Sequence, residues 1–327
     1  MLSSVNNPML AQAQNARFRP KLILQILLFL AVFSVGNYIS SMFLIGPILF
    51  AMFTDPQILA VITSGDVAQS VSTTLDVSMS IMGKPWIALI SLFVTAVTTV
   101  VCIIYCCKIE RRSLASMGFW KKGWFVRYVK GFAIGTGMLL LCALILWLMG
   151  DLSFAFAPKI PVFYLLAFFV GFVIQGMSEE VLVRGYFMIS LTNRCKKATA
   201  VAISSVAFAM LHLMNPGINL LALLNLTLFG VFMGVYVLRT DDLWGACAIH
   251  SAWNFAQGNL VGISVSGMSR MPTVAVMDPV GEMALFHGGD FGLEGGLIVT
   301  LVTTAAILLT LFLPKKAPKS APQSDLG

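Results

Sequence analysis

An all-α, polytopic membrane protein is the fold class this chain predicts, on three observations. Of its 327 residues, 58% are hydrophobic and only 11% are charged, whereas a soluble globular chain carries roughly 25% charged residues. The mean hydropathy is +0.89. The apolar residues fall in long runs of about 20, the length of a helical span, and not in the shorter alternating segments of a β-barrel.

Reading those runs between charged or turn-rich breaks gives about eight transmembrane helices, near 22–50, 85–107, 131–150, 161–192, 198–214, 218–238, 243–262 and 295–314. The first and fourth are long enough to tilt or to emerge from a bilayer. The first has no small-residue cleavage site behind it, so it is expected to be retained as a span. With both termini cytoplasmic, the inner segments collect Arg17, Arg19, Lys21, Lys108, Arg111, Arg112, Lys121, Lys122, Arg127, Lys130, Arg194, Lys196, Lys197, Arg239, Lys315, Lys316 and Lys319. Lys84, Lys159 and Arg270 fall on the other side. The formal charge of +7 thus follows topology, the positive-inside pattern of a multi-pass cell-membrane protein, and gives no reason to expect a nucleic-acid partner.

The expected organisation is a cytoplasmic N-terminal segment at 1–21, one transmembrane domain at 22–314 and a polar, Pro-rich, disordered cytoplasmic tail at 315–327. The basic, aromatic stretch "KIERRSLASMGFWKKGWFVRYVKG" reads as an interfacial amphipathic helix on anionic lipid. The segments at about 54–84 and 263–294, rich in Ser, Thr, Gly and acids, read as outer loops, with His287 a solvated loop residue. Six cysteines without CxxC spacing read as small apolar core residues, not as a disulfide framework.

Within the spans the ionisable residues reduce to Glu179, Glu180, Arg184, His212 and His250, with the amide of Asn254 beside them. Such groups are costly in a bilayer unless they pair or line a wet cavity, so each marks a candidate site. In "GMSEEVLVRGY", Glu180 and Arg184 are four apart and can pair on one helix face, while Glu179 is turned by about 100° and faces elsewhere. In "SSVAFAMLHLMNP", Phe208 stands one turn before His212 and can pack beside its ring. In "CAIHSAWNF", His250 and Asn254 share a face. At 1.5 Å per residue, Glu179, His212 and His250 lie about 22, 22 and 17 Å from the nearest inner-face charge. They can therefore meet in a cavity among spans four, five and seven.

The chemistry of that set is hydrolytic. Glu179 with His212 can activate a water molecule, and an imidazole and an amide from His250 and Asn254 can hold the oxyanion formed when water attacks a peptide carbonyl. No Ser or Cys stands in a nucleophile motif, Ser178 included, so direct attack by water is the simpler reading. Glu179, His212 and His250 also make a His₂Glu set of the kind that holds catalytic zinc, though HExxH spacing is absent.

In "EEVLVR", "FAMLH" and "HSAWN" the chain resembles the EExxxR, FxxxH and HxxxN motifs, in that order, of the CPBP family, which includes type II CAAX prenyl (Rce1-like) endopeptidases and bacteriocin-processing or self-immunity membrane proteases. The resemblance covers a protease core at about 160–262. It implies an all-helical fold with a cavity open towards the cytosol or its leaflet. It also implies Glu179 and His212 as water activators, His250 and Asn254 as oxyanion partners, and Glu180 and Arg184 in support. The family is often classed as metalloprotease, but this mechanism requires no cofactor. The expected function is an intramembrane endopeptidase acting on a membrane-associated protein or peptide, with the bilayer as its other partner. Two alternatives stay open: a proton- or ion-coupled transporter, against which the lack of visible inverted repeats counts, and an inactive immunity or scaffold protein.

Overall fold

The computed structural model describes residues 8–64, 67–280 and 284–312. In chain order its helices are α1 Pro8–Ala13, α2 Leu22–Phe53, α3 Pro56–Ser64, α4 Val67–Met82, α5 Pro85–Val94, α6 Ala96–Ile104, α7 Trp124–Leu148, α8 Val162–Glu180, α9 Ile189–Leu191, α10 Lys197–Met210, α11 Leu220–Thr240, α12 Leu243–Phe255, α13 Ala284–His287 and α14 Leu297–Phe312. Three π-helical stretches, Tyr105–Glu110, Val181–Met188 and Ala256–Leu260, prolong α6, α8 and α12. The described residues also hold a two-residue antiparallel ribbon, β1 Ala155–Phe156 against β2 Ala275–Val276, and an antiparallel bridge between Leu152 and Pro279.

Five helical stretches are long and apolar enough to cross a membrane: Leu22–Phe53, Pro85–Glu110, Trp124–Leu148, Val162–Leu191 and Leu220–Thr240. The other three expected spans are also helical, at Lys197–Met210, Leu243–Leu260 and Leu297–Phe312, but do not meet that length and apolarity. Large apolar side chains remain exposed along α2, α7 and α8, Ile23, Leu148 and Phe163 among them. A hydrocarbon environment removes the cost that such a surface carries in water. The free cysteines sit inside this framework: Cys102, Cys106, Cys142 and Cys247 are buried, Cys107 and Cys195 half-buried.

Local sequence sets the breaks. Proline opens α1, α3 and α5, where a missing N–H costs nothing. Asn219 caps α11 by accepting from the Ala222 amide at 2.9 Å. Thr95 interrupts the second span, and its carbonyl accepts from Ser178 Oγ of α8 at 2.8 Å. That bond pins α8 next to its first glutamate.

Helix α12 lies against both α7 and α8, α10 packs on α11, and α11 packs on α14. The approach of α12 is possible only at glycine. A Cβ on Gly131 or Gly135 of α7 would stand 2.2 Å from the carbonyl oxygen of Gly245 or Ile249. On Gly176 of α8 it would stand 2.5 Å from Ser251 Oγ. Small residues at helix crossings let backbones meet in this way inside membranes.

Several expectations are corrected. The stretch 108–131 is not an interfacial helix. Arg111, Gly118 and Gly123 take left-handed backbone conformations that break it, leaving a short 3₁₀ turn, Leu114–Met117, and a span that begins at Trp124. Arg112, assigned to the solvated inner charges, is buried with Glu110, 3.0 Å between Nε and Oε2. Its Nη2 donates to the Gly185 carbonyl at 3.0 Å. The supposed loop at 54–84 contains α3 and α4, the latter contributing Val77 and Ile81 to an apolar cluster with Ala51 of α2. His287 is only 7% exposed, held as its Nδ1 accepts from the Gly289 amide. The tail at 315–327, with Lys315, Lys316 and Lys319, lies outside the described residues.

The described part of the N-terminal segment is docked. Met9, Leu10 and Ala13 of α1 are buried, and the Met9 amide donates to Asp241 Oδ1 at 3.1 Å. Asp241 ends α11 in the left-handed conformation, φ 56°, and its carbonyl accepts from Trp120 Nε1 and Arg127 Nη1. Burial pushes its carboxyl up to about 6, against the pull of the Met9 amide and Arg127. A carboxyl that titrates higher folded than unfolded favours the fold while protonated. That contribution is complete below about pH 4 and is lost as the pH rises through about 6. Asparagine tolerates the left-handed conformation. Thermal unfolding in detergent should therefore show wild-type protein losing stability over this window relative to Asp241→Asn; parallel pH profiles would refute the assignment.

Candidate active site

The buried charge at the end of α8 is organised around Glu180. This side chain is fully buried, and its Oε1 accepts from Arg184 Nη1 at 3.0 Å and from His250 Nδ1 at 2.9 Å. The guanidinium of Arg184 also lies 4.5 Å above the Phe208 ring, a cation–π contact strengthened by desolvation. The Glu180–Arg184 pair was legible from spacing. The bond to His250 was not, because it joins α8 to α12 across 70 positions.

Glu179 points the other way and is part-exposed. Its Oε1 accepts from Gln175 Nε2 one turn earlier. Its Oε2 faces two imidazoles, 3.7 Å from His250 Nε2 and 3.9 Å from His212 Nε2. Both spacings exceed a direct hydrogen bond.

The two rings are oriented from behind. His212 Nδ1 lies 2.9 Å from the Phe208 carbonyl, which can only accept, so this nitrogen carries a proton and the neutral ring presents a lone pair at Nε2. His250 Nδ1 donates to Glu180 in the same manner. Phe208 stacks obliquely on His212 with centroids 4.8 Å apart, and Phe208 and Phe229 lie 5.9 and 5.4 Å from His250. An apolar wall thus backs both imidazoles.

Asn254 is buried and donates from Nδ2 to Gln175 Oε1 at 3.0 Å. Gln175 consequently links Asn254 to Glu179. It stands four residues before Glu179 on the same helix face, a signal the sequence offers but that an uncharged amide does not advertise.

The structure therefore brings together Glu179, Glu180, Arg184, Phe208, His212, His250 and Asn254 from α8 with its π-helical extension, α10 with the turn after it, and α12. Residues 161–256 match the Rce1-like family, type II CAAX prenyl endopeptidase. The Rce1-like segment contains every one of these residues, and the kind of function it supports is that of a CAAX-type protease in the membrane. Neither the curated proteins nor the solved structures gave a match to the chain.

As a zinc site the three side chains have the right donor chemistry, two imidazole nitrogens and a carboxylate oxygen, with each Nδ1 held by a further acceptor. Among the described residues, no group of three or more His, Cys, Asp or Glu stands out as a metal site.

The two glutamates should separate in the test tube. Removing the Glu180 carboxylate leaves Arg184 buried and unpaired, a loss of about 3–5 kcal/mol. Unfolding of purified protein should show Glu180→Ala strongly destabilised and Glu179→Ala close to wild type. Equal losses would contradict the division of labour.

Proposed function

We propose that this protein is an intramembrane endopeptidase that hydrolyses a peptide bond of a membrane-associated protein or peptide, with both termini on the cytoplasmic side of the cell membrane and eight helices spanning it. The observation that carries the reading is the Glu179 carboxylate facing two imidazole Nε2 atoms at 3.7 and 3.9 Å, with the Asn254 amide tied to the same carboxylate through Gln175.

In this mechanism a water molecule between Glu179 and His212 gives a proton to the carboxylate or to the His212 Nε2 lone pair. Its oxygen attacks the scissile carbonyl carbon. The developing oxyanion is held by an Asn254 N–H and by Nε2–H of His250 in its protonated form, with Nδ1–H donating to Glu180. Asn254 has two amide hydrogens, and only one is taken by Gln175. The proton held by Glu179 or His212 then passes to the departing nitrogen as the C–N bond breaks. One product carries the new carboxyl group and the other the new amine.

Turnover of a membrane-anchored peptide reporter by purified protein tests this directly. Glu179→Ala and His212→Ala should each lose at least about 10²-fold in kcat, and Asn254→Ala about 10²–10³-fold. Near wild-type cleavage by Glu179→Ala or His212→Ala would sink the mechanism. Because no step passes through a metal, a strong chelator should leave the rate unchanged; loss of activity restored by zinc would overturn that part.

A further inference from the structure

Residues of the stretches 262–280 and 284–296 bond to the elements that carry His250 and His212, and one buried carboxylate joins them. Glu294, in the turn Leu293–Gly295, is 6% exposed. Its Oε2 accepts from Gln257 Nε2 at 2.8 Å and from the Ser266 amide at 3.0 Å, and its Oε1 accepts from Ser266 Oγ at 3.2 Å. Gln257 lies one turn beyond Asn254, on the π-helical extension of the helix that carries His250.

Ser266 is the crossing point. It holds a left-handed backbone, φ 48°, which a non-glycine residue keeps only when its surroundings over-determine it; here Glu294 grips both its amide and its hydroxyl. The Ser266 carbonyl in turn accepts from Asn215 Nδ2 at 3.0 Å, three residues beyond His212. The next residue, Gly267, presses on the same turn: a Cβ there would stand 2.0 Å from the Pro216 carbonyl oxygen. Asn215 is also bonded to the His212 carbonyl through its own amide, at 3.0 Å. On the far side, Asn225 of α11 donates to the carbonyls of Glu294 and Gly296, at 2.8 Å each, and fixes the clamp from behind.

We propose that Glu294 is a positioning residue for the hydrolytic site. Its carboxylate binds the turn at Ser266 to the helix of His250 and Asn254 and, through Ser266 and Asn215, sets the distance between His212 and Glu179. The role rests on the endopeptidase reading for its effect on rate, and on geometry alone for its effect on His212. In a site whose reacting groups must align, a displacement of about 1 Å costs about 10²-fold.

Two variants test it. Glu294→Gln replaces one acceptor oxygen by an NH₂ that meets the donors of Ser266 or Gln257. Asn215→Ala cuts the link to the His212 turn and leaves the buried carboxylate with all its partners, so it serves if the first variant does not fold. Each should lower kcat on the peptide reporter by about 10- to 100-fold with KM essentially unchanged, and the double variant should lose little more than either single. The chain has three histidines, so protein labelled with ¹⁵N-histidine displays three imidazoles, and the His212 resonances should shift or broaden in both variants. A kcat within about twofold of wild type for Asn215→Ala, or unaltered His212 resonances in the folded variants, would overturn the proposal. If Glu179→Ala cleaves as fast as wild type, the hydrolytic reading fails by itself, and the imidazole resonances still decide the part played by Glu294.

Discussion

Everything near the site depends on how one negative charge is accommodated. Glu180 is fully enclosed, and a carboxylate in a low-dielectric interior is tolerated only with a cation and good hydrogen bonds. Arg184 supplies the cation from the following turn, and His250 supplies the second bond from another helix. Because that second bond reaches across the bundle, solving the electrostatic problem also decides where an imidazole sits. The adjacent glutamate, turned away by helix geometry, is left part-exposed among the nitrogens so fixed. A structural requirement and a chemical arrangement are thereby met by neighbouring residues with identical side chains.

The packing allows this because α12 is pressed between two helices at points where no side chain intervenes. Gly131 and Gly135 bring α7 onto the carbonyls of α12, and Gly176 brings α8 onto Ser251. Any widening of these contacts would carry His250 away from Glu180, since both are rigid extensions of the helices that touch. The Ser178 hydroxyl bond to Thr95 acts in the same sense from the other side of α8. Backbone contact thus sets the distances and charge sets the orientations.

Much of this was legible in the chain, for reasons that can be stated residue by residue. Apolar runs announce helices because hydrocarbon leaves a backbone few other choices. Polar residues in such runs are conspicuous, which is why Glu179, Glu180, Arg184, His212, His250 and Asn254 stood out. Local pairs such as Glu180 with Arg184 follow from the helical period. Gln175, Gln257 and Glu294 escaped notice: the first two are uncharged, and Glu294 lies in a stretch that reads as a loop and reaches its partners only through tertiary folding. Arg112 and His287 were misplaced because a basic or glycine-rich neighbourhood looks solvated until the chain folds over it. Basic residues beside an aromatic run also resemble an amphipathic helix, and only the left-handed backbone at Arg111, Gly118 and Gly123 shows where helix gives way to turn.

The π-helical stretch from Val181 to Met188 lies immediately after the paired glutamates, and all eight of its residues are buried. Its wider turns take up more residues over the same rise than an α-helix does. Removing a single residue from it, with the wide turns kept, would swing the remainder of the helix round by about a quarter turn. Arg184 and Gly185 would then face different neighbours, although no functional group had been deleted. In this short interval the number of residues is itself structural information, as binding on the protein as their identity.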